Sequence, residues 1–568
     1  MARSAKRRLV LGVDFGTLSG RALVVDADTG EELGTAVHAY ANGVMDERLP
    51  GARKPLDPDF ALQDPQDYLD VLARAVPLAI RRAGAAPEEV RGVGVDFTAC
   101  TMLPCTSEGN PLCFLPAFRA NPHAWVKLWK HHAAQAEADR INAVGARRGE
   151  EFLRAYGGKY SSEWFFSKLL ETLRKAPEVY AAADRFIEAC DWIVWRMTGV
   201  ERRSQCAAGY KAMWVARSGK GWGFPSPGFF RALDPRLERV VAEKLSAELL
   251  PPGARAGGLT PAMARAMGLR PDTPVAIGNV DAHAAVPACA VTEPGKLVMI
   301  MGTSICHMVL GRTRKFPEGM CGVVEDGIVP GFFGFEAGQS AVGDIFGWFF
   351  ENCVPAATAR EAKRRGVRAP DLLEAQAAQL AVGESGLLAL DWWNGNRSVL
   401  VNADLTGLLV GMTLATRPHE IYRALLEGAA FGTRTIIEAF VRQGVEVSEL
   451  SACGGLPDRN RLLMQIFADV AGRPIKIAES AQACALGAAM HGAVAGGIYP
   501  HIRAAAARMA HVRKKAFLPD ARAHAAYAPL FEEYTRLHDR FGRGACATMR
   551  HLKALKSAAR RSKDRLRN

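Results

Sequence analysis

The chain has 568 residues, of which 49% are hydrophobic and 23% are charged, and its formal net charge is +13. This composition excludes a wholly disordered protein, because enough apolar surface is present to offset the entropy of the chain, and the length favours two or more domains over one small core. No apolar run reaches the roughly 18–20 residues of a membrane-spanning helix, and no basic patch with groove-reading or base-stacking elements indicates a nucleic acid as a partner.

The first hundred residues predict a mixed sheet and one helix, in the order βββαβ. Asp64 and Pro65 fit the N-cap and the first turn of a helix, and apolar residues at helical spacing follow them as far as Gly84. Apolar runs bounded by turn residues predict strands on both sides of this helix. The predicted strands cover residues 9–13, 21–25, 32–40 and 93–97.

The middle of the chain is less regular. Asn121 and Pro122 predict the start of a long helix that runs through Trp125 and Trp129. Residues 145–266 are helical and irregular, with many aromatic side chains. We interpret this stretch as insertions on the first unit.

The pattern begins again near residue 297 with a strand, a Gly-Thr turn and a return strand. The chain therefore contains two approximate copies of one α/β unit, a structural repetition without a sequence repeat. We place the boundary near residue 288, which gives an N-terminal domain 1–288, a C-terminal domain 289–545 and a basic tail 546–568. The predicted strands of the second unit are 297–301, 305–310, 332–335, 450–453 and 475–477, and its predicted helices are 340–350, 418–442, 458–471 and 484–495.

Each unit opens with a turn whose residues suit phosphate binding. Gly16 and Gly302 let the backbone turn tightly and present N–H groups to an anion, and the hydroxyls of Thr17 and Thr303 can add hydrogen bonds. The Asp14 carboxylate at a strand end can hold Mg²⁺. Either turn alone is equally consistent with an ordinary β-turn. Two of them at equivalent positions indicate a cleft that grips phosphates from both sides.

Two further segments combine a strand end with polar or glycine residues. Gly454 and Gly455 lie between a strand and a helix, where a flat ligand can approach closely and a helix N-terminus favours an anion; a plain loop is the alternative. Asp281 precedes the almost wholly apolar stretch 284–290. Its carboxylate suits a general base, and helix N-capping is the alternative reading. We assign His283 a structural role.

Taken together, these motifs resemble the FGGY family of carbohydrate kinases, which belongs to the superfamily of actin and hexokinase. The resemblance runs from residue 9 to about residue 500, and Gly407, Gly411, Glu420 and Glu427 fit a second family signature. Other segments are similar to the branch of the family that phosphorylates L-ribulose. These segments are residues 95–104, 121–132, 161–164, 209–214 and 335–339.

The resemblance implies an α/β fold in which two ribonuclease H-like (actin/hexokinase-type) domains flank a catalytic cleft. It also implies ATP-dependent phosphorylation of L-ribulose at its terminal C5 hydroxyl, a step of L-arabinose catabolism. In that reaction Asp281 would be the catalytic base and Asp14 would hold Mg²⁺. The residues expected to bind ATP are Gly16, Thr17, Gly302, Thr303, Gly454, Gly455 and Asn460. Those expected to bind the sugar are Ala99, Trp125, Lys211, Asp281 and Glu336.

Several alternatives stay open at the level of sequence. A kinase for another ketopentose or polyol, such as D-ribulose, D-xylulose or ribitol, would use the same base and phosphate residues. A non-catalytic, actin-like ATP switch would not need Asp281 together with Lys211 and Glu336, and a sugar sensor would not need intact motifs. Trp125 could also be a core residue rather than a cover for the sugar.

The expected partners are a small-molecule sugar and ATP, without nucleic acid or membrane, and a homodimer is an open assembly. The apolar stretch after the basic start ends at Asp14, too short for a signal peptide. The 12 cysteines contain no C-x-x-C pair, so neither a zinc site nor a disulfide framework is predicted. We therefore expect a cytoplasmic protein.

Overall fold

The N-terminal half of the chain is built on a mixed sheet whose central strands are buried on both faces. The computed structural model describes residues 7–215, 223–245, 248–544 and 546–565, and the basic residues before Arg7 lie outside these ranges. The strands of this half are β1 (Leu9–Phe15), β2 (Ser19–Asp26), β3 (Glu32–Ala39), β4 (Leu62–Gln63), β5 (Val90–Phe97), β6 (Met102–Cys105), β7 (Val126–Lys127), β8 (Arg185–Glu188), β9 (Arg203–Ser204), β10 (Leu249–Leu250), β11 (Arg255–Gly258), β12 (Pro274–Ala276) and β13 (Asn279–Val280).

The main sheet has the strand order β11-β12-β5-β1-β2-β3, and β13 pairs with β5. Strands β1, β2 and β3 form an antiparallel meander, whereas β5 runs parallel to β1. Parallel strands covered on both faces have nearly continuous apolar sequences, which explains the runs that predicted β1 and β5. The helices of this half are α1 (Pro65–Arg82), α2 (Gln135–Arg148), α3 (Phe152–Ala155), α4 (Phe165–Lys175), α5 (Pro177–Ala182), α6 (Ala189–Thr198), α7 (Gln205–Lys211), α8 (Pro227–Leu233), α9 (Val240–Lys244), α10 (Pro261–Met267) and α11 (Asp281–Ala288).

The C-terminal half repeats the same arrangement. Its main sheet has the order β16-β17-β15-β14-β20-β21, so a meander is again followed by two parallel neighbours. The strands are β14 (Gly295–Met301), β15 (Ile305–Gly311), β16 (Gly322–Glu325), β17 (Phe333–Gln339), β18 (Leu388–Leu390), β19 (Leu408–Val410), β20 (Val447–Cys453) and β21 (Ile475–Ile477). The helices are α12 (Gly343–Asn352), α13 (Ala356–Arg364), α14 (Ala369–Ala377), α15 (Pro418–Arg442), α16 (Gly455–Arg459), α17 (Arg461–Ala471), α18 (Ala483–Ala495), α19 (Ile502–Met509), α20 (Ala521–His538) and α21 (Thr548–Arg565).

The predicted start of α1 is confirmed in detail. Asp64 is the N-cap, and its carboxylate accepts a hydrogen bond from the Gln66 N–H, which satisfies one of the free donors of the first turn. Pro65 occupies the first helical position, where its missing N–H costs nothing. The main sheet follows the predicted βββαβ order, and the short β4 that precedes α1 belongs to a separate sheet, β4-β7-β6-β8.

The predicted long helix at Asn121 is wrong. Only Pro122–Ala124 forms a single 3-10 turn, and Trp125 then takes an extended conformation that leads into β7. Strand β7 pairs with β4 on one side and with β6 on the other. Tertiary pairing therefore overrides the local helix signal, and the assumed helical spacing of Trp125 and Trp129 does not exist.

The two halves meet where α18, from the C-terminal half, lies on the β1–β5 face of the N-terminal sheet. A Cβ placed on Gly94 would lie 1.7 Å from the Ala488 carbonyl oxygen, and one placed on Gly487 would lie 1.8 Å from the Ala284 carbonyl oxygen. Only glycine permits such close backbone approach. The second of these contacts holds α18 directly against α11, the helix that begins at Asp281.

The insertions on the first unit have their own core of aromatic and aliphatic side chains, drawn mainly from residues 141–186 and 229–245. At the other end of the chain, the described part of the expected basic tail is the helix α21. Its Lys553 ammonium lies 3.0 Å from the Asp404 carboxylate, and residues 566–568 are outside the described ranges. Within the described residues, no helix is long and apolar enough to cross a membrane.

Candidate active site

Three carboxylates converge at the ends of neighbouring strands of the N-terminal sheet. Asp14 near the end of β1 is the register partner of Asp96 on β5, and Asn279 on β13 pairs with Asp96 from the other side. Asp281 follows β13 directly as the first residue of α11. The carboxyl ends of parallel strands meet at one edge of a sheet, so the topology itself gathers these three acids.

The Asp281 side chain is half-buried, and its environment suits a proton acceptor. The pKa of Asp281 is raised to about 7, mainly by burial; the Ala282 N–H and Lys211 lower it, and the carboxylates of Asp14 and Glu336 raise it. The Ala282 N–H donates to the Asp281 carboxylate over 2.7 Å. Val280, not Asp281, is the residue that precedes the helix, so the simple N-cap alternative does not describe this site.

Asp14 is paired with a cation that the sequence analysis did not identify. Arg21 is the register partner of Asp14 across the β1–β2 hairpin, and its Nε lies 3.2 Å from the Asp14 carboxylate. Burial raises the pKa of Asp14, and the Arg21 charge counteracts this rise. The hairpin register was the signal that could have found Arg21.

Asp96 is the second residue that sequence reasoning missed. Its side chain is completely buried, and neither carboxylate oxygen has a hydrogen-bond partner. Burial and the charges of Asp14 and Asp281 raise its pKa well above the usual range. A pair of unpartnered acidic oxygens beside Asp14 is the kind of donor set that a hard cation such as Mg²⁺ prefers, so the residues present fit the predicted metal. Within the described residues, no group of three or more His, Cys, Asp or Glu side chains forms a preassembled metal site.

The predicted sugar residues Lys211 and Glu336 form a buried ion pair between the two halves. The Lys211 ammonium lies 2.9 Å from each carboxylate oxygen of Glu336, and His283 Nε2 lies 3.3 Å from the same carboxylate. Burial alone would raise the pKa of Glu336, but the Lys211 charge reverses this and brings it to about 2. The pair is therefore charged at neutral pH, with donor and acceptor groups suited to a polyhydroxy ligand. His283 therefore contacts a predicted sugar residue, and its structural role stays a prediction.

The two Gly-Thr turns lie where the sequence placed them. In the first, the Gly16 N–H donates to the Ser19 carbonyl and the Thr17 hydroxyl accepts from the Trp129 indole N–H over 3.1 Å. In the second, the Gly302 N–H donates to the Ser304 carbonyl and Thr303 is exposed. The first turn is therefore anchored by a side-chain hydrogen bond, whereas the threonine of the second turn is exposed.

The glycine pair after β20 lies against the second turn. Gly454 has a φ of +97°, and a Cβ at this position would lie 2.4 Å from the Met301 carbonyl oxygen. The helix after it begins at Gly455, three residues earlier than predicted from Asp458. Asn460 is the N-cap of α17, where its side chain accepts from the Leu463 N–H and donates to the Tyr422 hydroxyl. The structure gives Asn460 a capping role, and its contact with a nucleotide stays a prediction.

Ala99 and Trp125 lie on two loops that one buried lysine holds together. The Lys168 ammonium donates to the carbonyls of Cys100 and Leu128, each over 2.7 Å. Ala99 is half-buried, whereas Trp125 is 3% exposed and its indole N–H donates to the Arg119 carbonyl. Trp125 is thus part of the core of the inserted region, and a contact with sugar through its ring stays a prediction.

Comparison with known proteins identifies the family. The N-terminal domain of the FGGY family of carbohydrate kinases matches residues 9–287, and the C-terminal domain of that family matches residues 297–496. The chain belongs to the FGGY family of carbohydrate kinases. This assignment confirms the resemblance drawn from the motifs and makes the chain a sugar kinase rather than a non-catalytic ATP switch.

Individual relatives and solved structures agree with the family. The chain is 56% identical over 562 residues to a ribulokinase of Geobacillus thermodenitrificans, which covers 98% of this chain and 99% of that protein. A ribulokinase of Mycolicibacterium smegmatis is 51% identical over 555 residues, covering 98% and 97% of the two chains. The crystal structure of xylulose kinase from Rhodospirillum rubrum is similar in fold, with a TM-score of 0.74, 21% identity and coverage of 94% and 99%. The predicted two-domain, actin/hexokinase-type fold is therefore confirmed.

Proposed function

We propose that this kinase transfers the γ-phosphoryl group of ATP to the C5 hydroxyl of L-ribulose and produces L-ribulose 5-phosphate in L-arabinose catabolism. The observation that carries the proposal is the position of Asp281, within electrostatic range of both the Lys211–Glu336 pair and Asp14. Relatives at 51–56% identity over nearly the whole chain are named ribulokinase, which supports the choice of sugar.

In the proposed reaction, Lys211 and Glu336 orient the sugar by donating to and accepting from its hydroxyl and carbonyl groups. Asp281 accepts the proton of the C5 hydroxyl while that oxygen attacks the γ-phosphorus. The bond between the γ-phosphorus and the β–γ bridging oxygen breaks, and ADP leaves. Because phosphoryl transfer depends mainly on positioning and charge stabilisation, a base with a pKa of about 7 is sufficient at neutral pH.

For the nucleotide, we propose that the two turns and the glycine pair bind ATP through the residues predicted from the sequence. Gly16 and Thr17 would contact the phosphates from one side, and Gly302 and Thr303 from the other. Asp14 would hold Mg²⁺, which would supply positive charge to neutralise the phosphates. Asp96 lies close enough to Asp14 to support the same cation.

The proposal includes a division of labour between domains. The N-terminal domain 1–288 carries the base and most of the sugar contacts, and the C-terminal domain 289–545 carries the nucleotide site. Free cysteines throughout the described residues fit a reducing cytoplasm, where ATP is also available. A homodimer is our working assembly, and gel filtration with light scattering tests it.

A coupled ADP-release assay tests the function. The purified chain is mixed with ATP, Mg²⁺ and one of L-ribulose, D-ribulose, D-xylulose, ribitol or glycerol, or with no sugar. The proposal predicts the highest kcat/KM with L-ribulose and almost no ADP without sugar. A higher kcat/KM with another sugar would overturn the substrate and keep the mechanism, and equal ADP release without sugar would overturn both.

A further inference from the structure

A third cation lies in the cleft, on a loop of the C-terminal half that no motif singled out. Arg397 is held between two anchors. Asn396 exchanges backbone hydrogen bonds with Asn402, and the Ser398 hydroxyl accepts from the Gly338 N–H over 3.2 Å. The Arg397 side chain is 22% exposed, and its Nη2 lies 3.6 Å from the carboxylate of Glu163, which belongs to the N-terminal half. The Arg397–Glu163 pair thus spans the cleft.

The register of the C-terminal sheet places Arg397 between the sugar pair and the phosphate turn. Glu336 and Gly338 lie two residues apart on β17 and so share one face of the sheet. A Cβ on Gly338 would lie 3.1 Å from Arg397 Cδ and 3.5 Å from its Nη1, so the arginine covers this glycine. Gly338 pairs with Cys306, which pairs in turn with Ile300, two residues before Gly302.

The surroundings of Cys306 agree with this placement. Burial raises the pKa of the Cys306 thiol to about 12. The Arg397 charge lowers it, the charges of Glu336 and Asp281 raise it, and Lys211 lowers it. One thiol is therefore within electrostatic range of the proposed base, both members of the sugar pair and Arg397.

The Arg397–Glu163 pair is looser than the lysine and arginine pairs described above for the site. The Lys211–Glu336 distance is 2.9 Å and the Arg21–Asp14 distance is 3.2 Å, compared with 3.6 Å for Arg397 and Glu163. A neutral sugar does not need a further full positive charge. A phosphoryl group in transfer carries negative charge on its equatorial oxygens, and an arginine aimed at them accelerates the reaction.

We propose that Arg397 is a further catalytic residue, which leaves Glu163 and binds the phosphoryl group during its transfer and in the sugar phosphate product. The guanidinium can donate two parallel hydrogen bonds to phosphate oxygens. In the free enzyme, Glu163 neutralises the arginine and keeps it at the cleft. This inference rests on the proposed kinase function and concerns the acceptor side of the phosphoryl group.

The test compares binding of the sugar with binding of its phosphate by isothermal titration calorimetry, alongside turnover. Arg397→Gln is expected to lower kcat about 100-fold or more and to weaken L-ribulose 5-phosphate about 30-fold, with the affinity for L-ribulose changed less than about threefold. Arg397→Lys keeps the charge and should fall between wild type and Arg397→Gln. Arg360→Gln, an exposed arginine, is the matched control.

Two further variants keep the proposal falsifiable if Arg397→Gln does not fold. Glu163→Gln should strengthen binding of the sugar phosphate, because the competing carboxylate is gone. Gly338→Ala keeps the arginine but pushes its side chain, and should weaken the sugar phosphate more than the sugar. Equal losses for sugar and sugar phosphate would make Arg397 a sugar ligand and overturn the proposal, as would no loss for either.

The choice of sugar and the role of Arg397 are tested by different results. If the wild-type enzyme prefers another sugar of the panel, the same comparison is made with that sugar and its phosphate. A wild-type enzyme without turnover on any sugar contradicts the proposed function, whereas an active wild type with unselective Arg397 variants contradicts only this inference.

Discussion

Three equivalent positions of the two sheets hold charged residues in the N-terminal sheet and uncharged residues in the C-terminal sheet. In each half, the residue two places before the turn glycine has one partner across the hairpin and one on the neighbouring parallel strand. The positions are Asp14, Arg21 and Asp96 in the N-terminal sheet and Ile300, Cys306 and Cys453 in the C-terminal sheet.

This contrast shows what the fold fixes and what the side chains decide. Both sheets present a Gly-Thr turn at the same place, and both turns are proposed to contact phosphates. At these three positions, the N-terminal sheet has carboxylates that can hold a cation or accept a proton, and the C-terminal sheet has none. The C-terminal sheet instead offers a neutral surface next to Gly454, which suits a nucleotide that brings its own charges. Substitutions at the acidic positions of one sheet and at the equivalent apolar positions of the other can therefore be compared by their effects on activity.

The largest effect is expected from removing the base. Asp281→Asn should lower kcat by about 10²–10⁴-fold, because the C5 hydroxyl loses its proton acceptor, and should leave ATP and sugar affinities within about threefold. Asp46→Asn, at an exposed aspartate, is the control. ADP release and calorimetric binding measure both quantities. Full activity of Asp281→Asn would show that another group takes the proton.

The next effect compares equivalent positions of the two sheets. Asp14→Asn should lower kcat about 100-fold at low Mg²⁺ and raise the Mg²⁺ concentration needed for half-maximal activity, because the carboxylate ligand is lost. Ile300→Val changes the matching position of the C-terminal sheet and should alter neither quantity more than about twofold. A Mg²⁺ titration of ADP release distinguishes them. An unchanged Mg²⁺ requirement in Asp14→Asn would remove Asp14 from the metal site.

A third effect follows from the raised pKa of Asp281. A base acts in its deprotonated form, and a pKa of about 7 means that this form is lost as the pH falls below 7. The kcat/KM should therefore fall about tenfold per pH unit below 7 and be level just above it. Asp281→Asn should have no such slope in its residual rate. A wild-type profile that stays level down to pH 5 would contradict the assignment.

Much of the fold was predictable because local patterns and tertiary context agreed. The continuous apolar runs of β1 and β5 and the Asp64-Pro65 start of α1 led directly to the observed elements. The predicted helix after Asn121 failed because β4 and β6 recruit residues 126–127 as a strand between them. A pattern read along the chain does not contain that pairing.

The same reasoning explains which site residues were found. Asp14, Asp281 and the glycine turns stand in short motifs, and the resemblance to the family added Lys211 and Glu336. Arg21 and Asp96 become visible only through strand register. Arg397 lies 234 residues from Glu163 along the chain, and only the packing of the two halves against each other brings them within 3.6 Å. Charges that act across a cleft between domains leave no local signature.

The smallest effects concern the two threonines and distinguish the turns from each other. The Thr17 hydroxyl already accepts from Trp129, whereas Thr303 is exposed at its turn. Thr303→Ala should raise only the KM for ATP, about three- to tenfold, because a single hydrogen bond to phosphate is lost. Thr17→Ala should raise the KM for ATP by a similar factor and also the KM for the sugar, because the freed indole N–H loosens the loop next to Trp125.

Threonine-to-serine changes at the same positions keep the hydroxyls and provide the controls, with both KM values expected within about twofold of wild type. Initial rates over a grid of ATP and sugar concentrations give the KM for ATP and the KM for the sugar of each variant. If Thr17→Ala and Thr303→Ala raise the same single KM, the two turns are equivalent despite their different surroundings. The two sheets would then differ in function only through their carboxylates. The hydrogen bond between Thr17 and Trp129 would have no effect on how the first turn contacts phosphate.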